Sequence, residues 1–207
     1  MALNPVQLGE HHIIGPDTEI LGGVYFRNGA TVVDFAENPQ PYELAYEKLE
    51  GTLTDAIEGS VLFMGHAIDD VVKDTIVFSE IITGMILKAE AESLGLERVD
   101  DRHALALSTF IETGGGVCHH QGLLGGAMVR LLQQRRGLGG KISFDYGPTP
   151  INPGHAKHSW LRYVRDREGV IIDFARNRVI PFNDASPLVI GEYRRPEERQ
   201  RARAAAS

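Results

Sequence analysis

The sequence predicts an α+β fold, in which helices come first and a mostly antiparallel sheet follows. Apolar side chains recur at helical spacing before residue 114, whereas short β-rich runs separated by turn residues dominate after residue 141. A strongly patterned helix between them opens at Cys118. Because the helices and strands are segregated along the chain, an α+β arrangement is favoured over alternating βαβ units.

A β-hairpin is predicted near the N-terminus. Its strands lie within Glu19–Phe26 and Thr31–Ala36, two β-rich runs that flank Asn28 and Gly29. Asn-Gly between two such runs is the strongest short signal for a hairpin turn.

Three helices are predicted between the hairpin and residue 113. The first opens after Pro39 and carries an apolar row as far as Ile57. The second is longer, from Asp69 to Leu94, with Gly95 in the C-cap position. Arg102–Ile111 is a third, shorter helix. We interpret their apolar stripes as core.

The helix that opens at Cys118 follows three consecutive glycines and ends at a second glycine cluster that begins with Gly137. Its apolar residues form a doubled row that recurs every four residues, so one side is buried. Three glycines within its first turns each lower helix propensity by roughly 1 kcal/mol relative to Ala. These glycines, which predict close packing against the start of the helix, are Gly122, Gly125 and Gly126.

The second half of the chain supplies the sheet. Its predicted strands are Lys141–Tyr146, His158–Arg165, Val170–Ala175, Arg178–Phe182 and Pro187–Tyr193. Residues 166–169 form a turn by composition. We predict a single domain over residues 1–193, with a motif core at about 101–182, followed by a basic, disordered tail over residues 194–207.

Composition limits the function classes. A net charge of −7 argues against nucleic-acid or anionic-membrane partners, whose binding relies on basic charge. Cys118 is the only cysteine, which excludes an intramolecular disulfide and any Cys₂ or Cys₄ zinc site. Neither a signal peptide nor an apolar run of membrane-spanning length is visible, so a cytoplasmic location is predicted. Glycine-rich nucleotide motifs are missing, and no cofactor is predicted.

Cys118 is the strongest candidate for chemistry. The unpaired N–H groups and positive dipole end of a helix stabilise a thiolate, the nucleophilic form of cysteine. Preceding glycines let the backbone turn sharply and leave the sulfur accessible. From position alone, a buried and inert cysteine remains an equal alternative.

His158 and Asp173 could supply a base and its orienting partner. If residues 166–169 close a regular hairpin, Arg162 lies opposite Asp173, on the face that His158 also shares. The side chains then agree in direction but lie roughly 13 Å apart. A bulge, a tighter turn or strong twist must close that gap.

Three segments follow one another along the chain: GGGVCHHQGLLGGAMVRLL, HSWLRYV and VIIDFA. A Gly-Val-Cys that opens a helix, a His-x-Trp that begins a strand and an Asp on the next strand resemble the transglutaminase-like superfamily of thiol enzymes. The resemblance covers about residues 114–175, with separations of 40 and 15 residues between the matching positions. It implies a papain-like core with Cys118 as nucleophile, His158 as base and Asp173 as orienter.

The resemblance also implies acyl transfer through a thioester. Cys118 would attack an amide or thioester carbonyl of a peptide-like substrate, with its own backbone N–H as one oxyanion donor. The acyl group would pass to water, as in a cysteine protease or deamidase, or to an amine acceptor. Calcium dependence is not carried over, since no segment resembles a calcium loop. Phe174 stands where the family usually has Pro.

Trp160, His119 and Gln121 are predicted to contact substrate, while Trp160 also suits a core position. No metal is predicted, and oligomeric state is left open. Two alternatives to the thiol enzyme remain. One is a non-catalytic peptide-binding protein, and the other is a zinc-dependent hydrolase that uses Cys118, a neighbouring histidine, His155 and His158.

Overall fold

The computed structural model describes residues 11–16, 18–26, 30–100, 103–147, 158–183 and 186–204. It is a mixed α+β structure, as predicted. The helices are α1 (Gln40–Thr52), α2 (Asp55–Gly59), α3 (Val61–Thr75), α4 (Glu80–Ser93), α5 (Leu107–Thr113), α6 (Cys118–Arg136), α7 (Pro187–Glu192) and α8 (Pro196–Ala204). The strands are β1 (His12–Ile13), β2 (Gly23–Phe26), β3 (Ala30–Val32), β4 (Val77–Phe78), β5 (Ala104–Ala106), β6 (Gly115–Gly116), β7 (Lys141–Gly147), β8 (His158–Arg165), β9 (Glu168–Asp173) and β10 (Arg178–Pro181). Within these ranges, no helix has both the length and the apolarity that a bilayer crossing requires.

The main sheet is antiparallel, with spatial order β10-β9-β8-β7. Asp166 and Arg167 alone form the turn between β8 and β9, both with positive φ (50° and 74°). Such a two-residue turn matches the twist of the strands it joins. It is tighter than the four-residue turn expected from sequence, and Arg162 therefore pairs with Ile171 rather than with Asp173.

One face of this sheet is covered by α6 and α3. As predicted, α6 begins at Cys118 and ends at Gly137, which has a φ of +66°. A Cβ atom at Gly122 would lie 2.5 Å from Phe144 Cε2, and one at Gly125 would lie 2.4 Å from Phe174 Cζ. Only glycine lets α6 approach the sheet this closely, which confirms the predicted close packing.

The other face is covered by the C-terminal strap, the name used here for residues 186–204. Two predictions are wrong here: Pro187–Tyr193 contains a helix instead of a strand, and residues 196–204 of the supposed disordered tail are helical. The strap is held by charge. Arg195 Nε donates to Asp145 Oδ2 at 3.0 Å, and Arg162 Nη1 donates to Glu198 Oε1 at 2.7 Å. Charged residues of the strap thus meet partners of opposite charge on the sheet.

The long helix predicted from Asp69 to Leu94 is wrong, because α3 and α4 are separate. Between them β4 pairs in parallel with β6, so that Val77 lies beside Gly115. Ser79 then caps α4, its Oγ accepting from the Ile82 N–H at 3.1 Å. Gly95 does take the predicted left-handed conformation beyond the end of α4, with a φ of +66°.

The remaining N-terminal predictions hold in part. The hairpin is confirmed, since β2 and β3 are antiparallel, although its Asn-Gly turn lies outside the described residues. The first predicted helix is divided into α1 and α2 by an extended Leu53. The third is α5, which begins only at Leu107 because residues 104–106 form β5 and pair with β3.

Candidate active site

The backbone entering α6 is fixed by glycine and by a buried imidazole. A Cβ atom at Gly116 would lie 2.8 Å from Ile76 Cγ2, so the position requires glycine. The Nδ1 of His120 accepts a hydrogen bond from the Val117 N–H at 3.0 Å and thereby caps the helix. His120 also stacks on Phe110 at 3.6 Å between ring centroids. Burial lowers its pKa well below the usual value, so His120 is neutral and carries its proton on Nε2.

Cys118 lies on the side of α6 that faces the sheet, because it precedes Gly122 by four residues, about one helical turn. Two imidazoles, those of His119 and His158, act on its thiol through hydrogen bonding and charge. Burial alone would raise the pKa of the thiol. Hydrogen bonds and charge from the two histidines outweigh burial and lower that pKa to about 5.

His158 and Asp173 are brought together by the tight turn. The pairing of Leu161 with Ile172, carried one residue further, puts Trp160 level with Asp173. His158 is then two residues away on the same face, a diagonal neighbour at about 7–8 Å between backbones. Its side chain spans that distance, and Nε2 lies 2.7 Å from Asp173 Oδ1. Of the three devices that could close the expected gap, the tighter turn is the one that the structure uses.

Both oxygens of Asp173 have hydrogen-bond partners, and the residue is fully buried. Oδ1 also accepts from the Arg176 N–H at 3.2 Å, because Asp173 caps a 3₁₀ turn over Phe174–Arg176. Oδ2 accepts from the Tyr193 hydroxyl at 2.8 Å. Phe174, in place of the proline usual in the resembling family, packs against Gly125 of α6.

The neighbours of His158 determine which ring nitrogen faces each partner and what pKa the imidazole has. Since Nε2 faces Asp173, Nδ1 is the ring nitrogen left for the Cys118 sulfur. Burial alone would lower the pKa of His158. Hydrogen bonds and charge from Asp173 and Cys118 outweigh burial and raise that pKa to about 9. The thiol and imidazole titrate as a pair, a thiolate facing an imidazolium between about pH 5 and pH 9.

The three residues predicted to contact substrate are all buried. Trp160 is 1% exposed and packs edge-on against Tyr193 of the C-terminal strap, with 5.2 Å between centroids. Gln121 is 1% exposed, and its Nε2 donates to the Ile76 carbonyl at 2.8 Å, tying α6 to the end of α3. Both pack in the interior in this structure, and their contact with substrate stays a prediction. His119 adjoins the thiol and packs against Tyr25 at 5.3 Å.

Sequence reasoning missed Tyr193 and the two-histidine environment of the sulfur. Nothing local marks Tyr193, which lies 20 residues beyond Asp173 in a segment with strand-like composition. Among the described residues, no group of three or more His, Cys, Asp or Glu side chains is placed to hold a metal ion. His155, which the zinc alternative needs, lies outside them.

Comparison with known proteins identified no relative of this chain. No protein-family model matches the chain, and neither curated proteins nor solved structures give a match. The site is therefore interpreted from its geometry and from the sequence resemblance alone.

Proposed function

We propose that this protein is a thiol acyl-transfer enzyme of the transglutaminase-like type, with Cys118 as nucleophile, His158 as general acid and base, and Asp173 as orienter. The observation that carries the proposal is the pairing of His158 with Asp173: Nε2 lies 2.7 Å from a buried carboxylate, and the same imidazole lowers the pKa of the Cys118 thiol. A nucleophile, a base and an orienting group in series are the arrangement that covalent acyl transfer requires.

In the first half-reaction, the Cys118 thiolate attacks the carbonyl carbon of an amide or thioester and a carbon–sulfur bond forms. The oxyanion collapses, the leaving amine or thiolate departs, and it receives the proton held by His158. In the second half-reaction, water or an amine attacks the thioester and gives its proton to His158. Cys118 then leaves as thiolate, which restores the starting pair.

The backbone N–H groups at the start of α6 support this reaction, because they carry partial positive charge beside the sulfur. The same layout supports a papain-like core: α6 packs on an antiparallel sheet and presents Cys118 at its N-terminus, while His158 and Asp173 come from adjacent strands. A peptide amide or a peptide thioester is the proposed substrate class, with water or a primary amine as acceptor.

The first test measures the pH dependence of Cys118 alkylation by iodoacetamide, followed by intact mass. The thiolate of the wild type should react with a midpoint near pH 5, since that is where its pKa lies. His158→Ala should move the midpoint upward, because the thiolate loses a hydrogen-bond donor and a positive charge. His66→Ala is the matched control, since His66 is exposed on α3 and is not a site residue.

A reaction that accelerates only above about pH 8 in every variant would reveal an ordinary thiol and contradict the proposal. If the thiolate is present, incubation with peptide thioesters and peptide amides should give an acyl adduct on the wild type and none on Cys118→Ala. The product formed with a primary alkylamine present then separates hydrolysis from transfer. A reactive thiolate that never accepts an acyl group would favour the peptide-binding alternative.

A further inference from the structure

The carboxylate of Asp173 needs two partners to keep its orientation. One oxygen faces His158 and the other accepts from the Tyr193 hydroxyl, and Asp173 itself is fully buried. A buried carboxylate oxygen without a donor is costly, so the group would rotate toward any other donor within reach. Arg176 is such a donor, with its Nε 3.9 Å from Oδ2.

Tyr193 is itself held by the C-terminal strap. Its ring is 1% exposed and packs edge-on against Trp160, which lies beside Asp173 on the sheet. Two residues later, Arg195 donates through Nε and Nη2 to both oxygens of Asp145, at 3.0 and 3.1 Å. Arg195 Nη2 also donates to Ser143 Oγ at 2.6 Å. Asp145 is 2% exposed, so this fork fastens the strap to the face of β7 that points away from α6.

We propose that Tyr193 is a positioning residue of the thiol site: its hydroxyl, delivered by the C-terminal strap, holds Asp173 in the rotation that keeps His158 facing Cys118. This inference rests on the proposed function and adds a fourth member to the series of contacts. It makes docking of the strap a requirement for an active thiol.

The charged neighbours of the carboxylate are consistent with this role. Arg176 and Arg178 both reach Glu192 Oε2, at 3.8 and 3.3 Å, so these cations are themselves engaged beside the site. Burial first, and then the charge of Asp173, raise the pKa of Tyr193 to about 12. The hydroxyl therefore keeps its proton and continues to donate throughout the pH range in which the thiolate and imidazolium coexist.

A purely structural tyrosine would stabilise the fold without changing the thiol, and the chain contains a matched example. The hydroxyl of Tyr42 donates to the buried carboxylate of Asp34 at 2.7 Å, in a pair that includes no imidazole. Tyr193→Phe and Tyr42→Phe therefore remove the same group from the same kind of partner. Only the first change should alter Cys118.

The experiment compares the pH midpoint of iodoacetamide alkylation and the melting temperature of wild type, Tyr193→Phe and Tyr42→Phe. We expect Tyr193→Phe to raise the midpoint by about one pH unit, since a rotated Asp173 no longer stabilises the imidazolium. Tyr42→Phe should lower the melting temperature and leave the midpoint at the wild-type value. An unchanged midpoint in folded Tyr193→Phe would overturn the inference.

A second variant tests the strap if Tyr193→Phe does not fold. Arg195→Gln removes the fork to Asp145 without changing the Tyr193 side chain, and the emission of Trp160, the single tryptophan, reports on strap docking. A red-shifted emission accompanied by a raised pH midpoint of alkylation supports the inference. A red-shifted emission with the wild-type midpoint contradicts it. A wild-type midpoint above pH 8 would instead show that the proposed function has failed, a result obtained before any variant is made.

Discussion

Asp34 and Asp173 are two buried carboxylates with nearly the same first partner. They are 3% and 0% exposed, and each accepts a hydrogen bond from a tyrosine hydroxyl, at 2.7 Å from Tyr42 and at 2.8 Å from Tyr193. The other donors to Asp34 come from Ser108, whose N–H and hydroxyl lie 3.1 and 2.5 Å from its oxygens. Asp34 thus ties the chain after β3 to α1 and α5.

The two carboxylates differ in the groups that they hydrogen-bond. Every donor around Asp34 is an uncharged hydroxyl or amide, and its contacts end in the core. Asp173 instead faces an imidazole, and the imidazole contacts a thiol at a helix N-terminus. Burial of an acid is therefore a poor sign of function by itself. The informative feature is a series of titratable groups, each of which sets the proton affinity of the next.

The largest expected effect separates the two acids directly. Asp173→Asn should reduce turnover of a peptide thioester by about 10⁴-fold, because a neutral amide no longer stabilises the imidazolium or selects its tautomer. Loss of the carboxylate also lowers the pKa of His158, so less imidazolium is present to stabilise the Cys118 thiolate. The pH midpoint of alkylation should therefore rise. Thioester cleavage and the pH midpoint of alkylation measure both effects.

Asp34→Asn is the control for that change. It should retain the wild-type midpoint and instead lose stability by about 1–3 kcal/mol, because an amide NH₂ would then face buried donors. Chemical unfolding measures that loss. A midpoint that moves equally in both variants would mean that the two carboxylates do not differ in the way proposed.

A substitution at Ser108 tests the surroundings of Asp34 without changing either carboxylate. Ser108→Ala removes the hydroxyl that lies 2.5 Å from Asp34 Oδ2 and leaves that buried oxygen without its closest donor. We expect the free energy of unfolding to fall by about 1–3 kcal/mol and the alkylation midpoint to stay at the wild-type value. Urea unfolding followed by far-UV circular dichroism measures the first effect. A shifted midpoint would show that Asp34 is coupled to the thiol after all.

The sequence predicts part of this site because some of its determinants are local. Strand alternation put His158 and Asp173 on one face, and the glycines of α6 predicted close packing at the start of that helix, where Gly122 meets Phe144 of the sheet. The turn length was not predictable from composition, because Asp166 and Arg167 adopt positive φ, which non-glycine residues rarely do. Tyr193 was missed because its contact with Asp173 depends on the strap folding back over the sheet, a tertiary arrangement that no local pattern encodes.

Two histidines, the partly buried His158 and the buried His120, extend the comparison from acids to bases. His158 faces a carboxylate and a thiolate, which raise its pKa to about 9, whereas the ring of His120 meets the Val117 N–H and Phe110. Burial, and then the charge of His119, lower the pKa of His120. The same side chain thus has a raised pKa beside two acids, which suits the proposed acid–base role, at one position and is a neutral helix cap at the other.

The smallest expected effect follows from that cap. In the unfolded chain His120 binds a proton below about pH 6.5, while the folded state keeps it neutral. The unfolded state therefore binds more protons there, and the free energy of unfolding falls by up to about 1.4 kcal/mol for each pH unit below 6.5. His120→Gln, which does not titrate, should show a shallower decline in urea unfolding between pH 6.5 and pH 5. An equal slope in both proteins would mean that His120 is protonated in the fold, in which case its Nδ1 could not accept from Val117.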